Sequence, residues 1–348
     1  MSVEEIIKSK LLSGFRGTPE GHSGGKYVQE LEEAFRERFG IKYAVAMNSA
    51  TSALHASLIA CGVGKGDEVI VSPFSFASSA SCALMVGAKP VFVDIDPETY
   101  CIDPKLVDKA ITKKTKVIIP VHLFGHPADM ESILDIAEAH HPIAVIEDAA
   151  QAIMAESLLG LAGTMGDCGI FSFNQSKHIN TGEGGMLVTD DDKIARIARA
   201  VRNHAESSDP SLKIVGYNYR LGEIEAYLAL EQLKDLDNQL LNRRIMVSHL
   251  ESGFEKEGIP YKKIPIKHAC WAFAFKVKHR EEVYEKCKAK GLNLNKGYNE
   301  PLYRLPIFDV TDYSKFPVTE RMWNEELLVI QVAELTLDKC QIIIDSVV

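Results

Sequence analysis

The sequence lacks the features that mark membrane, secreted and disulfide-built proteins. No apolar run approaches the roughly 18 residues that a membrane-spanning helix needs, and the opening segment MSVEEIIKSK has no apolar core of the signal-peptide type. The seven cysteines are odd in number and form no CxxC pair, which favours reduced thiols in a reducing compartment. We therefore expect a cytoplasmic protein with no membrane partner.

An excess of basic charge is also missing. Lysine and arginine number 39 against 48 aspartates and glutamates, which gives a formal net charge of −9 at pH 7. Nucleic-acid binding usually needs a basic face, so we expect no nucleic-acid partner. No pair of side chains has metal-ligand spacing on one helix face, and we predict no catalytic metal. No Gly-x-Gly-x-x-Gly pattern follows the first predicted strand, which argues against a Rossmann dehydrogenase.

The sequence does contain a series of short, almost continuous apolar runs. Continuous rather than alternating apolar character is typical of strands that are buried on both faces. Helical segments such as 129–140 separate several of the runs, so the pattern predicts an α/β fold with a mostly parallel sheet and helices on both sides. The predicted strands are residues 43–47, 68–72, 90–96, 116–123, 143–149, 169–173 and 185–190.

A long helix is predicted after the last of these strands, from about residue 223 to residue 252. One face of it is lined by Leu230, Leu233, Leu236 and Leu240. A chain of 348 residues has room for one large and one small domain. We place the boundary on this helix, with a large α/β domain over residues 1–240 and a smaller α+β domain over residues 241–348.

Polar residues follow three of the predicted strands. Asp148 comes directly after strand residues 143–147 with Gln151 just beyond it, and Lys177 follows the strand at 169–173. The first strand runs into a predicted helix start that contains Asn48, Ser49, Thr51 and Ser52. Ligands of open α/β sheets bind at the carboxyl ends of the strands, so one crevice would collect an acid, a lysine and an anion-binding helix N-terminus. Taken singly, each feature is ordinary: a turn residue, a surface charge and a helix cap.

The combination matches what pyridoxal phosphate requires. This cofactor needs an amine for a Schiff base, an acid that keeps its pyridine nitrogen protonated, and a cradle for its phosphate. Lys177 is the candidate amine and Asp148 the candidate acid. Free N–H groups and the dipole of a helix N-terminus bind phosphate. Those groups could come from Ala50, Thr51 and Ser52, with a hydroxyl from Ser172.

The longer motifs of the chain resemble those of the DegT/DnrJ/EryC1/StrS family of sugar aminotransferases. The resemblance covers nearly the whole chain and is carried by NSATSALHASL, GDEVIVSPFSFASSASCALMVGAKPVFVDID, PVHLFGHPADM, VIEDAAQA, FSFNQSKHINTGEGGMLVTD and GYNYRLGEIEAYLALEQL. It implies the fold type I of pyridoxal-phosphate enzymes, with a large α/β domain and a smaller C-terminal α+β domain. It also implies transfer of an amino group, with L-glutamate as donor, to a nucleotide-linked keto sugar, in amino-sugar and polysaccharide biosynthesis.

The resemblance assigns roles to residues around the cofactor ring. Lys177 matches the lysine that forms the Schiff base, and Asp148 matches the partner of the pyridine nitrogen. Gln151 matches the residue near the phenolic oxygen of the cofactor. Phe76, in the SPFSFAS segment, matches the aromatic residue that stacks on the ring.

The same resemblance assigns the phosphate contacts and an assembly. Ala50, Thr51 and Ser172 match residues that contact the phosphate. Asn218, in GYNYR, resembles the asparagine that reaches the phosphate from the neighbouring subunit. The expected active unit is therefore a homodimer with shared active sites.

Two alternatives remain on the same fold. Some relatives carry a histidine in place of the lysine and act as dehydratases. The register from the FSF sequence assigns this position to Lys177 rather than to the adjacent His178, which favours transamination. The second alternative is a non-catalytic regulatory protein, against which the joint presence of Lys177, Asp148 and Gln151 argues.

Two segments depart from the family pattern. KGYNEPLYRLP carries Gly297 and Tyr303 in a region that resembles part of the sugar-nucleotide pocket, and GHSGG at residues 21–25 differs near the start. Both leave the identity of the sugar open. His122, in PVHLFG, has two interpretations, a position near the substrate or a hydrogen-bonded structural role.

Overall fold

A seven-stranded sheet forms the centre of the protein, in a computed structural model that describes residues 2–15, 22–140, 142–206, 209, 211–259, 261, 263–265 and 267–348. Its strands are β1 (Tyr43–Met47), β2 (Glu68–Val71), β3 (Lys89–Phe92), β4 (Thr115–Ile119), β5 (Ala144–Asp148), β6 (Cys168–Ser172) and β7 (Gly185–Thr189). Each of the seven predicted runs overlaps one of these strands, which confirms the α/β prediction.

The strand order is β1-β7-β6-β5-β4-β2-β3, and only the pairings of β7 with β1 and β6 are antiparallel. The sheet is therefore mostly parallel, as predicted. Because β7 runs opposite to both of its neighbours, the carboxyl ends of β1 and β6 lie at the same edge as the start of β7. The strand pairing shows the shared edge directly, since Met47 at the end of β1 and Ser172 at the end of β6 both pair with Gly185.

Helices cover both faces of this sheet. Alternate residues of β1 show why, because Ala44 and Ala46 face one apolar core while Val45 and Met47 face another. The helices up to the end of the large sheet are α1 (Val3–Ser9), α2 (Lys26–Phe39), α3 (Ala50–Ala60), α4 (Ser78–Met85), α5 (Pro104–Ala110), α6 (Met130–Ala139) and α7 (Asp192–Arg202). Strands buried on both faces explain the continuous apolar runs of the sequence.

The predicted single helix at 223–252 is wrong, because the chain forms two helices there, α8 (Glu223–Lys234) and α9 (Leu236–Glu257). Asp235 separates them with φ −99° and ψ 4°. Its carboxylate accepts a hydrogen bond from the Asn238 side chain at 2.8 Å. Short acidic side chains that bond locally compete with helix continuation, which accounts for the break.

A second sheet pairs β8 (Ala272–Lys276) with β9 (Leu327–Gln331) in antiparallel register. One face packs on α9, α10 (Arg280–Ala289) and α12 (Leu337–Val347) through a separate apolar cluster. The other face contributes Ala272, Leu327 and Val329 to the core of the large sheet, together with Trp271 just before β8. Between these strands lies α11 (Pro317–Arg321). The domain boundary at residue 240 stays a prediction, and α9 runs across it.

Among the described residues, none of the helices combines the length and the apolar character that crossing a membrane requires.

Candidate active site

Lys177 lies in a tight turn just beyond β6. Its backbone N–H donates to the carbonyl of Asn174 at 2.8 Å, and the Asn174 side chain accepts from the Ser176 N–H at 3.1 Å. The amine of Lys177 lies over the ring of Trp271, 4.5 Å from the ring centroid. Local hydrogen bonds thus fix the turn, while the side chain of the lysine contacts a distant part of the chain.

The environment of Lys177 makes its amine easier to deprotonate than that of an exposed lysine. Burial lowers the pKa of Lys177 to about 8, and the negative charge of Asp148 opposes that change. The adjacent His178 adds no positive charge, because burial lowers its pKa to about 3. A lysine in this state can exchange a proton near neutral pH, which an ordinary surface lysine does poorly.

Asp148 ends β5 and is almost fully buried. Its carboxylate accepts a hydrogen bond from the Ser79 hydroxyl at 2.7 Å and from the Ala150 N–H at 3.2 Å. Ser79 is in turn bonded to Ser75 at 2.8 Å. A buried carboxylate needs such partners, and here they also fix its orientation at the edge of the sheet.

The N-terminus of α3 lies at the same edge. Ser49 caps the helix by accepting from the Ser52 N–H at 3.0 Å. The N–H groups of Ala50 and Thr51 have no acceptor within the part of the chain that the structure describes. Gly185 leaves the approach to them open, because a Cβ on it would lie 2.5 Å from the nitrogen of Ala50.

Ser172 also lies near the N-terminus of α3, since it pairs with Gly185. A lysine of lowered pKa, a buried carboxylate and unpaired helix N–H groups therefore share one edge. These are the three requirements of pyridoxal phosphate, so the residues fit this cofactor. Within the described ranges, no group of three or more His, Cys, Asp or Glu side chains could hold a metal ion.

Gln151 is buried and both ends of its amide are bonded. Its carbonyl oxygen accepts from the Phe124 N–H at 2.8 Å, and its amide nitrogen donates to the Tyr298 hydroxyl at 2.9 Å. Burial raises the pKa of Tyr298, so its phenol stays protonated. Tyr298 joins the segment after α10 to the site.

Phe76 and Asn218 have exposed side chains in the single chain. Phe76 is 63% exposed, although Ser79 of the same segment bonds to Asp148 and Ser75 bonds to Ser79. Asn218 is also exposed, and its backbone carbonyl accepts from the Asn48 side chain at 3.3 Å. The structure therefore does not bring these two side chains into the buried cluster around Lys177.

His122 has the structural role. It is fully buried and lies 2.8 Å from Glu147 through Nε2, while Nδ1 accepts from the Ala128 N–H at 2.9 Å. Glu147 also accepts from the N–H groups of Gly163, Met165 and Gly166. These bonds hold the loop beyond β5 in place and leave neither ring nitrogen for a substrate.

Tyr303 is likewise a packing residue. It is 1% exposed, stacks on Phe316 with ring centroids 4.3 Å apart, and its hydroxyl bonds to Glu320 at 2.6 Å. Tyr298, five positions earlier, is the tyrosine of this segment that reaches the site. Of the stretch at 21–25, Gly21 lies outside the described residues.

Sequence reasoning missed Trp271, Ser79 and Tyr298 as residues of the site. Ser79 could have been found, because it lies in the SPFSFASS motif that was already singled out. Tyr298 lies in the KGYNEPLYRLP segment, where Tyr303 was named in its place. Trp271 belongs to no motif, so only the packing of the C-terminal part against the large sheet brings it here.

Comparison with known proteins agrees with this geometry. Residues 16–348 match the family model described as the DegT/DnrJ/EryC1/StrS aminotransferase family. A GDP-perosamine synthase from Caulobacter vibrioides is 37% identical over 297 residues, covering 82% of this chain and 79% of the relative. A pleiotropic regulatory protein from Geobacillus stearothermophilus is 35% identical over 331 residues, covering 93% and 89%.

A solved structure with bound hydrated pyridoxal phosphate is similar over almost the whole chain. It is the E. coli GDP-4-keto-6-deoxy-D-mannose-3-dehydratase, 27% identical with a TM-score of 0.87, covering 99% of this chain and 95% of that protein.

Proposed function

The chain belongs to the DegT/DnrJ/EryC1/StrS aminotransferase family, and on that premise we propose that it moves an amino group from L-glutamate to a nucleotide-linked keto sugar. One observation carries the proposal: the amine of Lys177, with its pKa lowered to about 8, lies at the sheet edge shared by Asp148 and the unpaired N–H groups of α3. The product is a nucleotide-linked amino sugar.

Different residues of the chain contact different parts of pyridoxal phosphate. When bound, the cofactor supplies a carbonyl carbon that accepts the amino group and a ring that withdraws electrons from the reacting carbon. The N–H groups of Ala50 and Thr51, with the hydroxyl of Ser172, hold its phosphate at the positive end of the helix dipole. Asp148 holds the proton at the ring nitrogen, and Ser79 keeps that carboxylate oriented.

Lys177 is the group that moves protons. Its Nζ accepts a proton when neutral and donates one when charged, and a pKa of about 8 keeps both forms populated near neutral pH. The neutral His178 beside it does not compete for the proton.

Two rival functions fit the site less well. The similar E. coli dehydratase makes loss of a hydroxyl group the first rival, but Lys177 stands where the dehydratases of the family carry histidine. The similar regulatory protein makes a non-catalytic role the second rival. A regulator would not need an amine of lowered pKa beside a buried, hydrogen-bonded carboxylate.

We further propose a homodimer in the cytoplasm. The exposed side chain of Asn218 and the exposed ring of Phe76 support shared active sites, since both match family residues that act at the cofactor. All seven cysteines are free thiols, which supports a reducing compartment.

The decisive experiment supplies the purified protein with pyridoxal phosphate, L-glutamate and a panel of nucleotide-linked 3-keto and 4-keto sugars, with products identified by mass. We expect an amino sugar and 2-oxoglutarate in equal amounts from at least one substrate. Lys177→Ala is the control and should form neither. A product that has lost a hydroxyl group and gained no nitrogen would identify a dehydratase, and no turnover with any sugar would favour the regulator.

A further inference from the structure

Trp271 touches the Lys177 turn twice. The amine of Lys177 lies 4.5 Å from the centroid of its ring, and the indole Nε1–H donates to the carbonyl of Ser176 at 2.8 Å. The two partners are adjacent residues of the turn beyond β6, whereas Trp271 comes from the C-terminal part of the chain. One side chain thus contacts both the backbone and the reactive end of the turn.

Other contacts set the orientation of the indole independently of Lys177. Trp271 is 9% exposed, and its ring lies parallel to that of Phe124, with centroids 6.4 Å apart and an interplanar angle of 4°. Its carbonyl accepts from the Val332 N–H at 3.1 Å, directly before β8 begins. The ring is therefore a fixed surface on which the flexible lysine comes to rest.

We propose that Trp271 is a positioning residue that holds the amine of Lys177 whenever that amine is not bonded to the cofactor. The inference rests on the proposed function, in which Lys177 must leave the cofactor and then move protons beside it. An ammonium group is attracted to the face of an indole, the strongest of the aromatic partners. The hydrogen bond from Trp271 to Ser176 fixes the position of that ring face relative to the turn that carries Lys177.

An aromatic face suits this task better than a carboxylate would. It gives the amine a direction without accepting its proton, so it does not compete in proton transfer. The charged and titratable groups that influence this place are Asp148, which favours the protonated amine, and His178, which stays neutral because burial lowers its pKa to about 3. The positive charge of Arg243 also lowers the pKa of His178. Cys270 is the residue before Trp271 in the chain.

The test uses the fluorescence of Trp271 in the otherwise intact chain. The protein has two tryptophans, so Trp323→Phe leaves Trp271 as the sole tryptophan emitter. The full chain is freed of cofactor, its emission is followed over neutral and alkaline pH, and the titration is repeated with pyridoxamine phosphate bound, where the lysine amine is also free. Lys177→Met in the Trp323→Phe background is the matched control.

We expect an emission step with a midpoint near the Lys177 pKa of about 8. His178, with a pKa of about 3, and Cys270, whose burial raises its pKa to about 11, titrate elsewhere. The step should disappear in the Lys177→Met control. An emission without a step in this range, or a step that persists without Lys177, would overturn the proposal.

A kinetic comparison separates positioning from simple packing. Trp271→Leu should lower kcat by about twofold to thirtyfold with little change in the KM for the sugar, since the lost attraction acts on the free amine. Trp271→Phe keeps a ring face and should therefore lose less activity than Trp271→Leu. It also provides a second test if the leucine variant folds poorly. Equal kcat for the wild type and both variants would contradict the inference. A wild type that turns over no sugar would instead refute the proposed function and leave the fluorescence result standing.

Discussion

At the scale of single residues, the activity proposed for this site depends on the charge of Lys177. Burial lowers the pKa of Lys177 to about 8, and Asp148 opposes that shift. The folded protein therefore holds the amine protonated below this value and neutral above it. Proton abstraction needs the neutral form.

The first prediction concerns pH. The rate of the half-reaction with L-glutamate should rise by about tenfold per pH unit below the pKa of Lys177 and level off above about 8. Single-turnover kinetics over a range of pH measure this directly. A rate that falls as the pH passes from 7 to 9 would mean that the protonated amine is the reactive form.

A second prediction concerns Asp148. Asp148→Asn keeps the shape and the bond from Ser79 but removes the charge, so the proton at the ring nitrogen is no longer held. We expect a fall of about a hundredfold or more in the half-reaction rate. The absorbance of the cofactor should show that it is still bound. The pH midpoint should also move lower, because Asp148 raises the pKa of Lys177.

The comparison for that variant is Ser79→Ala, which keeps the charge and removes only the donor at 2.7 Å. A smaller loss, about tenfold at most, is expected there. If Asp148→Asn reacts as fast as the wild type, Asp148 is only a turn residue.

At the scale of secondary-structure elements, three strand ends and one helix N-terminus form the proposed phosphate site. The ends of β1 and β6 flank the start of β7, and α3 begins directly after β1. The antiparallel insertion of β7 is what lets a glycine at its first position face the helix. A parallel strand there would present its carboxyl end instead.

Gly185→Ala tests this arrangement. The new Cβ would lie 2.5 Å from the nitrogen of Ala50 and 2.6 Å from the carbonyl carbon of Ser49, so the backbone must shift. We expect pyridoxal phosphate to bind about tenfold to a hundredfold more weakly, as loss of hydrogen bonds to a charged group implies. Equilibrium titration of the cofactor-free protein measures the effect.

Gly64→Ala is the matched control, because a Cβ at Gly64 meets no atom within 4 Å. Its cofactor affinity should equal that of the wild type. Unchanged affinity in Gly185→Ala as well would remove the α3 N-terminus from the proposed phosphate site.

At the scale of the whole molecule, the C-terminal part closes the site over the large sheet. Asp94 accepts hydrogen bonds from the N–H groups of Val318 and Thr319, which fastens the start of α11 to the large sheet. From the same C-terminal part of the chain, Tyr298 bonds to Gln151 and Trp271 contacts Lys177. The chemistry proposed for Lys177 thus depends on residues from both ends of the chain.

The last prediction concerns assembly. If Asn218 reaches the phosphate of a second subunit, Asn218→Ala should weaken cofactor binding by about tenfold to a hundredfold, and dilution should release cofactor and subunits together. The backbone bond of Asn218 to Asn48 does not involve its side chain and should persist. Gel filtration over a dilution series, read at protein and cofactor wavelengths, measures both effects.

Asn242→Ala, another exposed asparagine, serves as the control and should leave retention unchanged. A monomer that keeps its cofactor fully would refute the shared site and leave the chemistry of Lys177 untouched.

The sequence by itself determined the strands of the large sheet, the turn that carries Lys177, the acid at the end of β5 and the helix start at Ala50. Each depends on a local pattern: an apolar run, the polar residue that ends it, or a short motif. Only the tertiary structure decided that Tyr298 rather than Tyr303 reaches Gln151 and that His122 is bonded to Glu147. The contact of Trp271 with the Lys177 turn was decided in the same way, because it joins residues 95 positions apart that meet only when the second sheet packs on the first.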